Sequence, residues 1–210
     1  MAALDDARFP IAVLVSGSGS NLQAIIDAAA DPGYSARVTV VISDRDGVRA
    51  LDRAAAAGIT TQVVPWADYP DRASFTDAVC DAAEAHGARA LILAGFMRIL
   101  APNAIARFPM RIVNTHPALL PAFPGAHAIP EAIAHGVKLT GVTIHFVDEE
   151  VDHGPIITQV PVPIEPGDTE ASLVARIQAE EHRLYTQVID AFARGRLEVS
   201  GRSVTWKELV

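Results

Sequence analysis

Apolar residues in this chain fall into short unbroken runs, separated by stretches in which they recur every three to four positions. Phe9 to Val15 is one such run, with Ile11, Ala12, Val13, Leu14 and Val15 consecutive, the pattern of a strand covered on both faces. Ser16-Gly17-Ser18-Gly19-Ser20 interrupts it as a turn, and Leu22, Ile25 and Ile26 then give Asn21 to Ala30 a helical spacing. Val38 to Ile42 predicts a second strand and Val48 to Ala57 a second helix, closed by Gly58. Thr61 to Val64 is a third, short strand stopped by Pro65, and Ser74 to His86 a third helix ended by Gly87. Leu91 to Ala94 and Ile112 to Asn114 bring the strands to five. This alternation predicts an α/β fold with a doubly wound, mostly parallel sheet and right-handed crossovers.

The rhythm changes after Asn114. Thr140 to Phe146 alternates as a strand, with Val142, Ile144 and Phe146 on one face. Ile156 to Val162 is another strand, and Pro161 with its neighbour Pro163 suggests a sheet edge. Thr169 to Ala193 is the longest helix, striped by Leu173, Val174, Ile177, Leu184, Val188 and Ile189. Leu197 to Trp206 predicts a terminal hairpin turning at Gly201. With no repeat or low-complexity linker, the chain reads as one domain over 1–210, a Rossmann-like half (1–113) joined to a second half (114–210).

Composition narrows the function classes. Half of the residues are hydrophobic and a fifth are charged, which suits a packed core and excludes a disordered chain. A net charge of −8 without a Lys/Arg run argues against nucleic-acid partners, so an anionic ligand must be held by local donors. Cys80 is the single cysteine, which excludes an internal disulfide and any multi-cysteine metal site. Its position in a helical pattern predicts a partly buried residue without a chemical role. Met1 to Arg8 has neither the basic nor the apolar region of a signal peptide, and no apolar run approaches the ~20 residues that span a bilayer. The expectation is a soluble cytoplasmic protein with no membrane partner; a homodimer is among the assemblies it allows.

Two segments carry candidate chemistry. Asn114-Thr115-His116-Pro117 begins where the run Arg111-Ile112-Val113 ends in a Pro-rich loop, and Asp152 follows in Val151-Asp152-His153-Gly154-Pro155. Strand ends of a parallel α/β sheet are where ligands bind. An amide, an imidazole and a carboxylate meeting there supply an oxyanion donor, a proton donor and the group that tunes it. That set suits addition to a carbonyl through a tetrahedral intermediate. The second segment is Ser16 to Asn21, between the first strand and first helix, where backbone N–H groups gather anions. Gly17 and Gly19 match the first two glycines of a dinucleotide fingerprint, but Leu22 stands at the third, which favours a terminal phosphate over a pyrophosphate. A nucleophile elbow also fails, since Ser16 and Ser20, not glycines, flank Ser18.

Taken together these segments resemble the folate-dependent phosphoribosylglycinamide formyltransferases of purine synthesis. The resemblance rests on Ser16 to Ile25, Leu93 to Leu100, Asn114 to Pro121, Phe123 to His127 and Gly141 to Ile157. It implies transfer of formyl from 10-formyltetrahydrofolate, as co-substrate, to the amine of 5'-phosphoribosylglycinamide, with Asn114, His116 and Asp152 catalytic. By the same match Gly19, Ser20 and Asn21 would hold the ribonucleotide phosphate, while Gln178 and Glu181 would reach its sugar and glycinamide side. Met97, Arg98, Ile99 and Leu100 would line the folate pocket, Asp148 to Asp152 would form a loop against the same ring, and Arg72 falls where the family has a folate-contacting arginine. Methionyl-tRNA formyltransferases and formyltetrahydrofolate hydrolases would need domains beyond this one.

The implied chemistry has Asn114 and a protonated His116 donating to the oxyanion, with Asp152 raising the pKa of His116. The loop after Gly125 departs from the family: it reads His127-Ala128-Ile129-Pro130, where many members have a second histidine at the position of Ile129. His145 and His135 read as structural, and His127 and His153 as flanks of the folate loop. No helical His-x-x-x-His pair occurs among the five histidines from 116 to 153, so no metal is predicted. Three rivals stay open: a nicotinamide oxidoreductase using Asp44, a non-catalytic binding module, and a formyltransferase acting on a sugar-nucleotide amine. Within the resemblance the alternative is another folate-dependent formyltransferase or a formyltetrahydrofolate hydrolase.

Overall fold

The computed structural model describes residues 7–207, so most of the Met1 to Arg8 segment, expected to lack a signal peptide, lies outside them. A single nine-stranded sheet runs in the order β3-β2-β1-β4-β5-β6-β7-β9-β8. Its first part is parallel: β1 (Phe9–Val15), β2 (Ala36–Ser43), β3 (Thr61–Val63), β4 (Ala90–Leu93) and β5 (Ile112–His116). Beyond β5 the sheet is mixed: β6 (Leu139–Phe146) runs antiparallel to β5, and β7 (Ile156–Pro163) antiparallel to β6. The hairpin β8 (Leu197–Ser200) and β9 (Ser203–Trp206) joins β7 at one pair, Ile156 with Ser203. The Pro-bearing β7 is therefore an edge over most of its length, and only its first residue is covered, because Pro161 and Pro163 offer no N–H to a neighbour.

Unbroken apolar runs in β1 and β4 follow from helices on both faces. Ile11, Val13 and Val15 pack with Leu22, Ile25, Ile177 and Tyr185 under α1 (Ser20–Ala29) and α6 (Glu170–Ala193). Ala12 and Leu14 face Phe75, Val79 and Ala104 under α3 (Arg72–Ala85) and α4 (Pro102–Arg107). Cys80 is fully buried in that second layer, not partly so, and burial pushes its thiol up to about 12, which removes the reactive thiolate. The remaining helices are α2 (Arg49–Ala56) and α5 (Ala128–His135).

Thr169 caps α6 by accepting from the Ser172 N–H, and the Ser172 hydroxyl accepts from the Thr169 N–H in return. The Tyr185 hydroxyl, in the middle of α6, shares its proton between the carbonyls of Leu93 and Val113 at 3.0 and 2.8 Å. That bolts the helix to the ends of β4 and β5. Val174, expected in the core stripe, is only half-buried and faces a cavity instead. The chain leaves β1 to opposite sides through β2 and β4, so a crevice opens at their C-terminal ends. Among the described residues no helix is long and apolar enough to cross a membrane.

Candidate active site

The crevice holds a cavity of about 320 Å³. Its floor is the Ser16 to Asn21 loop, and its far wall is Val174, Ile177, Gln178 and Glu181 of α6. Gly19 sits at φ 72, and a side chain there would come within 2.7 Å of the Ala50 Cβ, so only glycine lets the loop lie against α2. The Gln23 N–H bonds the Gly19 carbonyl, which leaves the preceding N–H groups of α1 aimed at the cavity. Arg53 steadies the loop by donating to the Ser18 carbonyl at 2.9 Å. Asn21 Nδ2 and Thr115 Oγ1 donate to Glu181 at 3.4 and 3.0 Å, while buried Asn21 Oδ1 has no protein partner. Burial pushes the Glu181 carboxyl above its ordinary value, and those two hydrogen bonds offset only part of this. Ile129 lies in the same wall, so the departure from the family's histidine falls on this cavity.

Beside the cavity, β5 continues through His116, two residues beyond the strand expected over Ile112 to Asn114. Alternation sends Thr115 to the cavity and Asn114 and His116 to the opposite face. Antiparallel register sets Asn114 beside His145 and His116 beside Thr143. Thr143 donates to the Ala118 carbonyl and accepts from the Leu120 N–H, and Gln159 donates to the Leu120 carbonyl, which ties down the Pro-rich loop. Asp152 reaches in from the loop after β6. Its Oδ2 lies 3.2 Å from His116 Nδ1 and accepts from the Gly125 N–H at 2.7 Å. Its Oδ1 lies 3.4 Å from Asn114 Nδ2 and 3.6 Å from His145 Nε2.

His145, read from sequence as structural, belongs to this cluster. Its Nδ1 lies 2.8 Å from the Phe146 carbonyl and must donate there, so in the neutral ring Nε2 accepts from Asn114 Nδ2 at 3.1 Å, and in the charged ring it turns a proton toward Asp152 Oδ1 at 3.6 Å. The imidazole thereby orients the amide. The available signal was parity: with Val142, Ile144 and Phe146 on one face, Thr143 and His145 must share the other.

Electrostatics correct one expectation. Burial pushes His116 below its ordinary imidazole value; the Asp152 carboxylate and the Phe123 carbonyl, 2.7 Å from Nε2, favour the charged ring but do not overcome it. The expected net rise does not occur, because His116 is only 4% exposed and loses more hydration than one carboxylate returns. Burial alone would raise Asp152, but His145, the Gly125 N–H and His116 outweigh it and hold the carboxyl below its usual range.

The folate-side residues are partly gathered. Met97 and Ile99 are 62% and 53% exposed on the loop after β4, and Val151 is 48% exposed on the Asp152 loop. The Met97 N–H donates to Ser16 Oγ at 2.8 Å, which joins this loop to the Gly-Ser loop. Arg98 stacks over Trp66 and donates to Asp44 at 2.7 Å, and Leu100 packs against the second core layer. Burial tends to raise Asp44, but bonds from Ser16, Arg98 and Arg45 leave it below its ordinary value. Asp44 is buried, with Oδ2 held by Arg98 and Arg45, so its carboxylate is not open to the crevice as a ribose acceptor for a dinucleotide. Asp148 is committed within its own loop to the Glu150 N–H and His153 Nδ1. Arg72 opens α3, exposed and not among the residues lining the cavity. No group of three metal-ligating side chains is arranged around a common point among the described residues.

The chain belongs to the formyl transferase family, which matches residues 9–189. Its relatives point to one branch of that family. It is 46% identical over 195 residues to phosphoribosylglycinamide formyltransferase of Mycobacterium tuberculosis H37Rv, covering 93% of this chain and 90% of that protein. Identity to phosphoribosylglycinamide formyltransferase of Escherichia coli K12 is 40%, over 90% of this chain and 89% of the other. The crystal structure of glycinamide ribonucleotide transformylase 1 from Symbiobacterium toebii superposes with a TM-score of 0.94 at 45% identity, over 99% and 98% of the two chains.

Proposed function

We propose that this chain transfers the formyl group of 10-formyltetrahydrofolate to the amine of 5'-phosphoribosylglycinamide in purine biosynthesis. The observation that carries the reading is the alternation of β5: Thr115 faces the anion-accepting cavity, while its neighbours Asn114 and His116 face the polar cluster. A phosphorylated amine seated in the first is thereby presented to a carbonyl held at the second. Phosphate goes to Gly19, Ser20 and Asn21, and the sugar and glycinamide side to Gln178 and Glu181. In this division residues 1–113 supply the phosphate loop and 114–210 the catalytic half.

The folate co-substrate supplies the activated formyl group. The exposed apolar side chains Met97, Ile99 and Val151 suit the faces of its fused ring, and the loop from Met97 to Leu100 offers main-chain partners. As the amine adds, charge develops on the formyl oxygen. The long 3.4 Å contact between Asn114 and Asp152 is the one that yields, freeing an amide proton for that oxygen while His145 keeps the amide in line. Losing one such donor costs about 3–4 kcal/mol of transition-state stabilisation. His116, neutral at rest because of its burial and with Nε2–H donating to the Phe123 carbonyl, takes the proton of the attacking amine at Nδ1, where Asp152 at 3.2 Å stabilises the ring as it charges. It then returns the proton to the departing folate nitrogen. No covalent intermediate on the protein is required. The enzyme in this reading is cytoplasmic, takes two small molecules, and uses neither metal, nucleic acid nor membrane.

Purified protein given a 10-formylfolate donor, with and without phosphoribosylglycinamide, tests the reading by the absorbance of the deformylated folate. Turnover that depends on the amine is expected. Folate release without the amine would make the chain a hydrolase, and silence in both would overturn the assignment.

A further inference from the structure

The C-terminal hairpin contributes nothing to the cavity or the polar cluster above, yet one of its side chains reaches the loop that carries Asp152. Arg202, at the turn between β8 and β9, donates through Nη2 to the His153 carbonyl, and its Nη1 lies 3.1 Å from His153 Nε2. His153 Nδ1 is 2.7 Å from Asp148 Oδ2, which only accepts, so Nδ1 carries the proton, and Arg202 Nη1, 3.3 Å from Nδ1 and 3.1 Å from Nε2, rests against the face of the ring. The guanidinium therefore grips the backbone and the ring of one residue together, a use of its fixed fork that an ammonium cannot reproduce.

The gripped residue is the immediate neighbour of Asp152, which sits at φ 53, a left-handed conformation that a non-glycine residue keeps only under restraint. Two further features show where that restraint can come from. Gly154 passes so close to the Phe146 carbonyl that a Cβ would lie 1.9 Å from it, so the chain beyond His153 has one path. Behind the loop, packing gives little support: a cavity of about 250 Å³ opens between Pro124, Val151, Ile156 and Arg202. The hairpin itself is anchored, through the Ile156–Ser203 pair and by Trp206 Nε1 donating to the Ile157 carbonyl at 3.3 Å.

We propose that Arg202 is a positioning residue that, by clamping His153 from the hairpin, holds Asp152 in the strained conformation in which its carboxylate meets His116 and the Gly125 N–H. The catalytic consequence rests on the function proposed above; the structural one does not. In Arg202→Ala the Gly125 amide, which donates to Asp152 Oδ2, should exchange with solvent about tenfold faster by NMR, while the amides of Leu91 to Leu93 in the sheet core keep their protection. In the formyl-transfer assay kcat should fall about tenfold with the KM for the ribonucleotide unchanged, a net loss of the size of one hydrogen bond. Added guanidinium ion should recover part of that loss, and Arg202→Lys should fall between Ala and the unmodified protein. Unchanged Gly125 exchange overturns the clamp, as does a kcat within twofold of the unmodified protein. A loss that neither guanidinium nor lysine repairs, with the core amides deprotected, also overturns it. If the unmodified protein shows no formyl transfer, the function fails and Gly125 exchange still decides the clamp.

Discussion

The phosphate-side cavity and the polar cluster lie on opposite faces of β5, one residue apart, and are built from different material. The first is largely backbone from six consecutive residues, Ser16 to Asn21, with a helix N-terminus behind them and α6 as its lid. The second is four side chains, Asn114, His116, His145 and Asp152, that meet only because β6 pairs antiparallel with β5 and the next loop turns back. Backbone donors make a site that tolerates charge without carrying any, so under the proposed function a chain of net charge −8 holds its anion without a Lys or Arg among the residues lining the cavity. Buried side chains make a site whose protonation depends on which neighbour wins. The first should govern binding and the second the rate of the chemical step.

That division can be broken by three substitutions. Asp152→Asn strikes the cluster hardest: kcat should fall by ~10²–10⁴, the usual worth of acid–base assistance. It should also move the pH profile in a defined direction. Burial already sets His116 below its ordinary value, so the acid limb of kcat/KM lies below about pH 6.5. The Asp152 carboxylate favours the protonated ring; removing it lowers His116 further and carries the limb to still lower pH. A limb that moves upward would contradict the assignment of His116 as the group that must be neutral.

Glu181→Gln keeps one acceptor for Thr115 but turns an amide NH2 toward Asn21 and removes the carboxylate, and should raise the KM for phosphoribosylglycinamide by ~10-fold or more, as expected when a hydrogen bond to a charged group is lost. Its kcat should stay within a fewfold, and a kcat loss larger than the KM rise would erase the contrast between the two regions. The mildest change is His145→Leu, which fills the same space but cannot accept from Asn114. A two- to tenfold fall in kcat with KM unchanged is expected for a net loss of ~0.5–1.5 kcal/mol. An unaffected kcat would return His145 to the structural role its strand pattern suggests.

Legibility followed the range of the interactions concerned. Phe9 to Val15 and Leu91 to Ala94 were readable as strands because a run covered on both faces needs nothing but apolar side chains. The Gly-Ser loop was readable because φ > 0 at Gly19 and the helix start after it are local. His145 was not, since its part in the cluster depends on pairing with a strand 31 positions earlier. The direction of the His116 shift was missed for the same reason: the carboxylate beside it was visible in the sequence, but the depth of its burial was not. Arg72 was carried by position alone and lies exposed at the head of α3.

The sequence by itself determined the elements, their α/β order, the Gly-Ser turn between β1 and α1 and the residue types at 114, 116 and 152, because hydrophobic period, glycine conformation and residue chemistry are properties of short segments. The tertiary structure decided which of these meet, which proton each carries and what restrains them. Register put His145 against Asn114, burial set the charge of His116, and a hairpin about 50 residues beyond Asp152 brought Arg202 to its neighbour. Such outcomes depend on solvent exclusion and on distances between segments far apart in the chain, and those exist only once the sheet is assembled.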